Sequence, residues 1–161
     1  MFGHSCGTER DVGPFRWKDP LERRVGSGPV SPAVLLAREV VEQALEQGAS
    51  DIHLEPETDG MVIRCRLDGV LQKLRTVPKN LQDPLVSRFK ILSGMDIGEK
   101  RLPQDGRFQE AWQDRQVDVR VSSLPTLHGE SLVLRLLDQE NVALDLSRLG
   151  FSHHNRARLD R

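Results

Sequence analysis

The stretch "MVIRCRLDGVLQKLRTVP", residues 61–78, gives the clearest indication of the fold. Apolar and basic side chains alternate along its first half, which is typical of a strand with one buried face. The expected inward positions are Met61, Ile63, Cys65 and Leu67, and the expected outward positions are Arg64 and Arg66. Asp68-Gly69 then favours a tight two-residue turn. The stretch therefore predicts an antiparallel hairpin whose second strand is 70–78.

A helix is predicted before this hairpin, in "SPAVLLAREVVEQALEQG", residues 31–48. Ser31 is a suitable N-cap, Pro32 suits the first helical position, and Gly48 suits the C-terminal end. The apolar residues recur every three to four positions, which indicates an amphipathic helix. They are Val34, Leu35, Ala37, Val40, Val41, Ala44 and Leu45.

A second helix is predicted in "LQDPLVSRFKILSGM", residues 81–95, with Pro84 in its first turn and Gly94 at its end. Its apolar stripe consists of Leu85, Val86, Phe89, Ile91 and Leu92. Further strands are predicted at 50–56, 106–112, 115–125 and 129–138. The order of one helix and three strands, repeated once, predicts an α+β fold in which helices pack against a largely antiparallel sheet.

Composition narrows the classes of function. The chain has 161 residues and a net charge of −1, so overall charge gives no reason to expect nucleic-acid binding. Its two cysteines, Cys6 and Cys65, exclude a disulfide framework and a CxxC metal site. We expect a cytoplasmic protein, because no apolar run reaches the length of a membrane span and the N-terminus lacks the apolar core of a secretory signal. Residues 1–30 are predicted to be disordered or a remnant.

The loop "EKRLPQDGR", residues 99–107, permits two interpretations. It is either a solvated surface turn, in which Pro103 fixes φ and Asp105-Gly106 takes a left-handed step, or an anchored loop. In the second interpretation Arg101 and Arg107 face a partner or an anion.

Arg120 and Arg135 each lie mid-strand between aliphatic residues, on the face opposite them. If the two strands are neighbours, both guanidinium groups share one face and form a clamp for a phosphate. The alternative is that each arginine pairs with a carboxylate such as Asp118 or Glu130. The sequence alone leaves both interpretations open.

Other polar residues give weaker signals. His53, between Ile52 and Leu54, is expected to form a structural hydrogen bond, and His153-His154 have no supporting ligands, so no metal site is predicted. No pair of carboxylates is placed for acid–base work, so no catalytic residue is predicted. The 161 residues contain no G-x-x-x-x-G-K-[ST] phosphate loop, and we expect no ATP hydrolysis from this chain alone.

Five strings in order resemble the secretion and pilus-assembly ATPases of the GspE/PilB type. They are "EQGASDIHLEP" (46–56), "VIRCRLDGVL" (62–71), "SRFKILSGMDIGEKRLPQDGRF" (87–108), "VDVRVSSLPTLHGESLVLRLLD" (117–138) and "LGFS" (149–152). The resemblance implies that 31–140 is the PAS-like α+β domain preceding a RecA-like ATPase core. Residues 141–161 then form a connector and a truncated helix leading to that core.

The resemblance also implies a function. The arginines matching Arg120 and Arg135 reach ATP phosphates on the RecA-like domain of the same or a neighbouring subunit, in the manner of an arginine finger. Further interdomain contacts are expected from Arg101, Arg107, Arg64 and Arg66. The complete motor is expected to be a hexamer that uses ATP and Mg, acts at the inner-membrane platform and drives type II secretion or pilus extension. No cofactor is expected in this chain.

Two alternatives remain open at this stage. The chain is either a stand-alone PAS-like module for sensing or protein interaction, which needs an internal ligand pocket, or a relic of a disrupted gene. A relic is expected to be poorly soluble, because the face that meets the ATPase core is then exposed.

Overall fold

The computed structural model describes residues 30–113 and 115–138. The elements are α1 (Pro32–Glu46), β1 (Asp51–Glu57), β2 (Gly60–Leu67), β3 (Val70–Pro78), α2 (Lys79–Leu92), β4 (Gln104–Trp112), β5 (Arg115–Thr126) and β6 (Gly129–Asp138). The predicted α+β class and element order are confirmed. The predictions for 1–29, for 139–161 and for Cys6 and His153-His154 lie outside the described residues.

The described strands form one sheet in the order β3-β2-β1-β6-β5-β4, and every pairing in it is antiparallel. Each half is a three-stranded meander, and the pairing of β1 with β6 joins the halves. Asp68 and Gly69 both have positive φ, 48° and 82°, as the predicted tight turn requires. The first and last strands therefore meet at the centre of the sheet, which places Asp51 beside Arg135.

Both helices pack against one face of the sheet. The inward side chains of the strands and the apolar stripes of α1 and α2 form a single buried cluster. Its members with no exposed surface include Ala37, Val40, Val41, Ala44, Ile52, Leu54, Met61, Ile63, Leu85, Phe89, Val117, Val119, Leu132 and Leu134. Arginines and other polar residues of the same strands are left for the opposite face.

The second helix differs from its prediction. It begins at Lys79 rather than at residue 81, because β3 runs directly into it and Pro78 occupies the N-cap. Pro84 therefore lies inside the helix rather than in its first turn. Because proline has no N–H, one hydrogen bond to a preceding carbonyl is missing at this position. Leu35 and Ile91, both predicted on apolar stripes, are instead 47% and 42% exposed.

Asp105 and Gly106 do not form the predicted left-handed turn. Both belong to β4, and Gly106 has no positive φ. Gly106 is required for a different reason, since a Cβ at this position would lie 2.3 Å from the carbonyl oxygen of Ser93. The glycine allows β4 to pass directly against the end of α2.

Candidate functional site

A row of charged side chains crosses the outer face of the sheet, the face opposite the helices. Strand register places Arg66 on β2 opposite Asp51 on β1, and Asp51 opposite Arg135 on β6. Arg135 is in turn opposite Arg120 on β5, and Arg120 is opposite Arg107 on β4. We call these five residues the arginine row. The predicted placement of Arg120 and Arg135 on one face of neighbouring strands is therefore what the structure has.

Asp51 is the carboxylate of the row and holds two of its arginines. Its side chain is 10% exposed, and Arg135 Nε donates to its Oδ1 at 3.1 Å. The other oxygen, Oδ2, accepts from Ser50 Oγ at 2.8 Å and lies 3.3 Å from Arg66 Nε. Burial raises the pKa of Asp51, but these hydrogen bonds and the charges of Arg135 and Arg66 outweigh burial, so the pKa is lowered overall.

Arg135 is only partly engaged by this contact. Its side chain is 67% exposed, and Asp51 accepts from the Nε edge of the guanidinium. No described residue accepts a hydrogen bond from its two terminal nitrogens. A planar guanidinium presents several donors in a fixed fork, so an outside anion can still be bound by those nitrogens.

Arg120 and Arg107 are exposed, and within residues 30–113 and 115–138 neither guanidinium has a hydrogen bond or an ion pair. The alternative that each arginine pairs with a carboxylate holds for Arg135 but not, within the described residues, for Arg120, and neither Asp118 nor Glu130 is the partner. Arg135 bonds Asp51 instead, and Glu130 is buried in an ion pair with Lys90. Asp51 was missed because it is 84 residues from Arg135 in sequence.

Arg64 and Arg66 are engaged within the domain. Arg64 forms ion pairs with Glu55 and, at 3.7 Å, with Glu57. Arg66 contacts Asp51 and also donates through Nη1 to the carbonyl of Gly69 at 2.9 Å. These partners use some of the donors of each guanidinium, and an interdomain contact of Arg64 or Arg66 stays a prediction.

The loop 99–107 is anchored to the domain, whereas the facing of Arg101 and Arg107 toward a partner or an anion stays a prediction. Lys90 Nζ donates to the carbonyl of Glu99 at 2.6 Å. Gln104 Nε2 donates to the carbonyls of Asp96 and Glu99, and Gln104 Oε1 accepts from the N–H of Asp96. The side chains of Lys90 on α2 and Gln104 on β4 therefore hold the segment between these two elements in place.

Arg101, also in this loop, turns back on its neighbour. Its N–H donates to Glu99 Oε1 at 2.6 Å, and its guanidinium is 3.4 Å from Glu99 Oε2. These hydrogen bonds from Arg101 lower the pKa of Glu99. The Arg101 side chain is 88% exposed and lies outside the arginine row.

The lysine that holds the loop also forms a buried ion pair. Lys90 and Glu130 side chains are 1% and 7% exposed, and Lys90 Nζ donates to Glu130 Oε1 at 2.6 Å. Ser123 Oγ donates to the same oxygen at 3.0 Å. The network links α2, β5, β6 and the first residue of the loop, Glu99.

His53 lies on the outer face, opposite Arg64. Its Nε2 is buried without a hydrogen-bond partner, so the expected structural hydrogen bond is not seen at that atom. Burial lowers the pKa of His53; the nearby charge of Asp51 raises it, and those of Arg66 and Arg64 lower it further. On the inner face, burial raises the pKa of Cys65 to about 11, which keeps the thiol protonated and unreactive.

Within the described residues, no group of three or more His, Cys, Asp or Glu side chains is arranged to hold a metal ion. Neither α1 nor α2 has the length and apolar character of a membrane-spanning helix.

The family model described as type II/IV secretion system protein matches residues 25–161. The chain belongs to this family. The resemblance seen in the sequence motifs is therefore confirmed, and the match covers all of the strands that carry the arginine row.

The names of curated relatives agree with this family assignment. The type II secretion system protein E of Dickeya dadantii (strain 3937) is 45% identical over 130 residues, which is 81% of this chain and 26% of that protein. The type IV pilus assembly ATPase PilB of Myxococcus xanthus (strain DK1622) is 43% identical over 122 residues, 75% of this chain and 22% of that protein. The chain thus spans about a quarter of the length of these relatives.

A solved structure shares the fold. The ATPase DotB of Yersinia pseudotuberculosis superposes with a TM-score of 0.53 over 81% of this chain and 36% of that chain, at 19% sequence identity. At this identity the likeness concerns the backbone fold alone.

Proposed function

We propose that this domain is the PAS-like module of a type II secretion or type IV pilus assembly ATPase, and that it supplies Arg120 and Arg135 to ATP phosphates. The nucleotide would be held by a RecA-like domain of the same or a neighbouring subunit in a hexamer. The PAS-like assignment is supported by the single antiparallel sheet with both helices on one face. The relatives named as type II secretion and type IV pilus assembly proteins support the assignment to one of these systems.

The observation that carries the proposal is the pairing of Arg120 with Arg135 across β5 and β6. Two like charges directly opposite each other destabilise a sheet. Arg120 has no counter-ion among the described residues, and Arg135 keeps its terminal nitrogens unengaged. An anion approaching the outer face would supply the missing charge, and guanidinium forks match phosphate oxygens.

The donors of the row fit phosphate but not Mg. A magnesium ion needs carboxylate or other oxygen ligands, and the one carboxylate of the row, Asp51, is already bonded to Arg135 and Ser50. The metal and the phosphate cradle would therefore come from the RecA-like domain. The role of this chain is to add positive charge where negative charge is concentrated on the transferring phosphoryl group.

This arrangement supports a regulatory role. Arginines that reach a nucleotide on another domain make the position of the two domains depend on whether ATP is present. Hydrolysis would then shift the domains and drive protein secretion or pilus extension, with the motor peripheral to the inner membrane. The alternative of a stand-alone sensing module needs an internal pocket. The pocket of about 370 Å³ near the β1–β2 turn, lined by Glu57, Asp59 and His128 among others, is open to the surface.

The proposal is tested in a hybrid ATPase in which residues 30–138 replace the matching segment of the Dickeya dadantii protein E. Arg120→Gln and Arg135→Gln are each expected to lower kcat by about 10-fold or more, as loss of a charge-stabilising arginine does. Arg101→Gln is the matched control, since it removes an exposed arginine outside the row, and kcat should stay within about 2-fold. Equal rates in all three variants would overturn the proposal.

A further inference from the structure

We propose that Arg107 is a third anion-binding arginine, and that a polyphosphate chain lies across the strands from β6 to β4. This rests on the proposed function of Arg120 and Arg135 and extends it. The length of the row favours a ligand of several linked phosphates over a single phosphate.

Geometry is the first support. Arg135, Arg120 and Arg107 occupy successive register positions on three neighbouring strands. Neighbouring strands lie about 4.8 Å apart, so the row extends about 10 Å from β6 to β4. All three side chains project from the outer face, because directly paired residues share a face. A single phosphate fills one guanidinium fork, whereas linked phosphates can engage the forks in turn.

The distribution of charge is the second support. At the β1 end of the row, Asp51 lies between Arg135 and Arg66 and neutralises part of their charge. At the β4 end, Arg120 and Arg107 follow each other with no carboxylate in the row. The guanidinium groups of Arg120 and Arg107 therefore keep their donors for an anion at the β5–β4 side.

Two carboxylates lie close to the row on the same face and leave its guanidinium groups unpaired. Asp105 lies two residues before Arg107, and its Oδ1 accepts a hydrogen bond from Ser122 Oγ at 2.5 Å. Asp118 lies two residues before Arg120 and is opposite Gln109, one row away. Neither forms an ion pair with an arginine of the row within the described chain.

The position of β4 is the third support. It is the last strand of the sheet, so Arg107 stands at an edge where nothing in the described sheet lies beyond it. A polyphosphate chain bound along the row can continue past this edge toward whatever holds its other end. At the other end of the row, the negative charge of Asp51 repels the polyphosphate, so it does not extend in that direction.

The full 161-residue chain is titrated with inorganic tripolyphosphate at matched ionic strength, and binding is monitored by NMR. Arg107→Gln is expected to raise the Kd for tripolyphosphate about 3-fold, and to reduce the dependence of log Kd on log salt by about 1. The Kd for orthophosphate should change less than the Kd for tripolyphosphate. Arg101→Gln is the control of equal charge and should change neither Kd.

The outcomes separate the two proposals. If Arg107→Gln behaves like Arg101→Gln while Arg120→Gln and Arg135→Gln weaken binding, the inference about Arg107 is wrong and the proposed function stands. If tripolyphosphate shifts no resonance on β4, β5 or β6, the inference is also wrong. The proposed function is judged separately, by the kcat of the hybrid ATPase. A loss of orthophosphate binding equal to that of tripolyphosphate would contradict the extended orientation.

Discussion

Arg120 and Arg135 lie directly opposite each other on β5 and β6, two like charges in one register pair. Such a pair reduces the stability of a sheet. Replacing Arg120 by Gln should therefore raise the free energy of unfolding of the isolated chain, by about 0.2–1 kcal/mol. Urea denaturation measures this. Arg101→Gln, which removes the Glu99 contact instead, should not stabilise the chain, and a destabilised Arg120→Gln would contradict the account.

The buried Lys90–Glu130 pair should be costly to break. Lys90→Met leaves the Glu130 carboxylate with Ser123 Oγ as its remaining donor, and removes the contact with the carbonyl of Glu99. We expect a loss of about 3–5 kcal/mol in the free energy of unfolding, because an unpaired buried charge remains. Thermal or urea unfolding measures the loss.

Lys100→Met is the matched control for this experiment. Lys100 is 58% exposed and 3.7 Å from Asp83, so its removal should cost less than about 1 kcal/mol. Similar losses for the two lysine variants would show that the buried network does not hold the loop and sheet together.

Asp51 should make the stability of the domain depend on acid pH. Its pKa in the folded chain is below the ordinary value of 3.8, so its contribution is present above about pH 4 and is lost as pH falls through the lower folded value. Asp51→Asn should lose about 1–3 kcal/mol at pH 7 and show a shallower loss of stability below pH 4. Urea midpoints measured from pH 7 to pH 2.5 test this, and parallel curves for the two proteins would contradict it.

Cys65 should be protected from thiol reagents until the domain unfolds. The residue is 1% exposed, and burial raises the pKa of its thiol to about 11. In a Cys6→Ser background, modification by Ellman's reagent should be slow in native buffer and should accelerate with urea in step with unfolding. Rapid modification in native buffer would place Cys65 at the surface instead.

Much of the fold was predictable from local patterns. Period-two alternation located the strands, and Asp68-Gly69 located a tight turn whose two positive φ angles the structure confirms. The turn predicted at Asp105-Gly106 was wrong, because the glycine there is required by the close approach of Ser93 rather than by its own φ. A contact between distant segments leaves no signal in the local sequence.

The same limit applies to the candidate site. Alternation placed Arg120 and Arg135 on the outer face, and β5–β6 adjacency follows from a short hairpin. Asp51 could not be assigned as the partner of Arg135, because the contact depends on the pairing of the first strand with the last. Register between β4 and β5 is also what brings Arg107 into the row.

The central claim is that Arg120 serves a nucleotide on another domain and not the stability of its own. The most direct test measures kcat and the free energy of unfolding on the same Arg120→Gln hybrid ATPase. We predict that kcat falls by about 10-fold or more while the stability of the replaced domain stays equal or rises. A fall in both quantities, or an unchanged kcat, would contradict the claim.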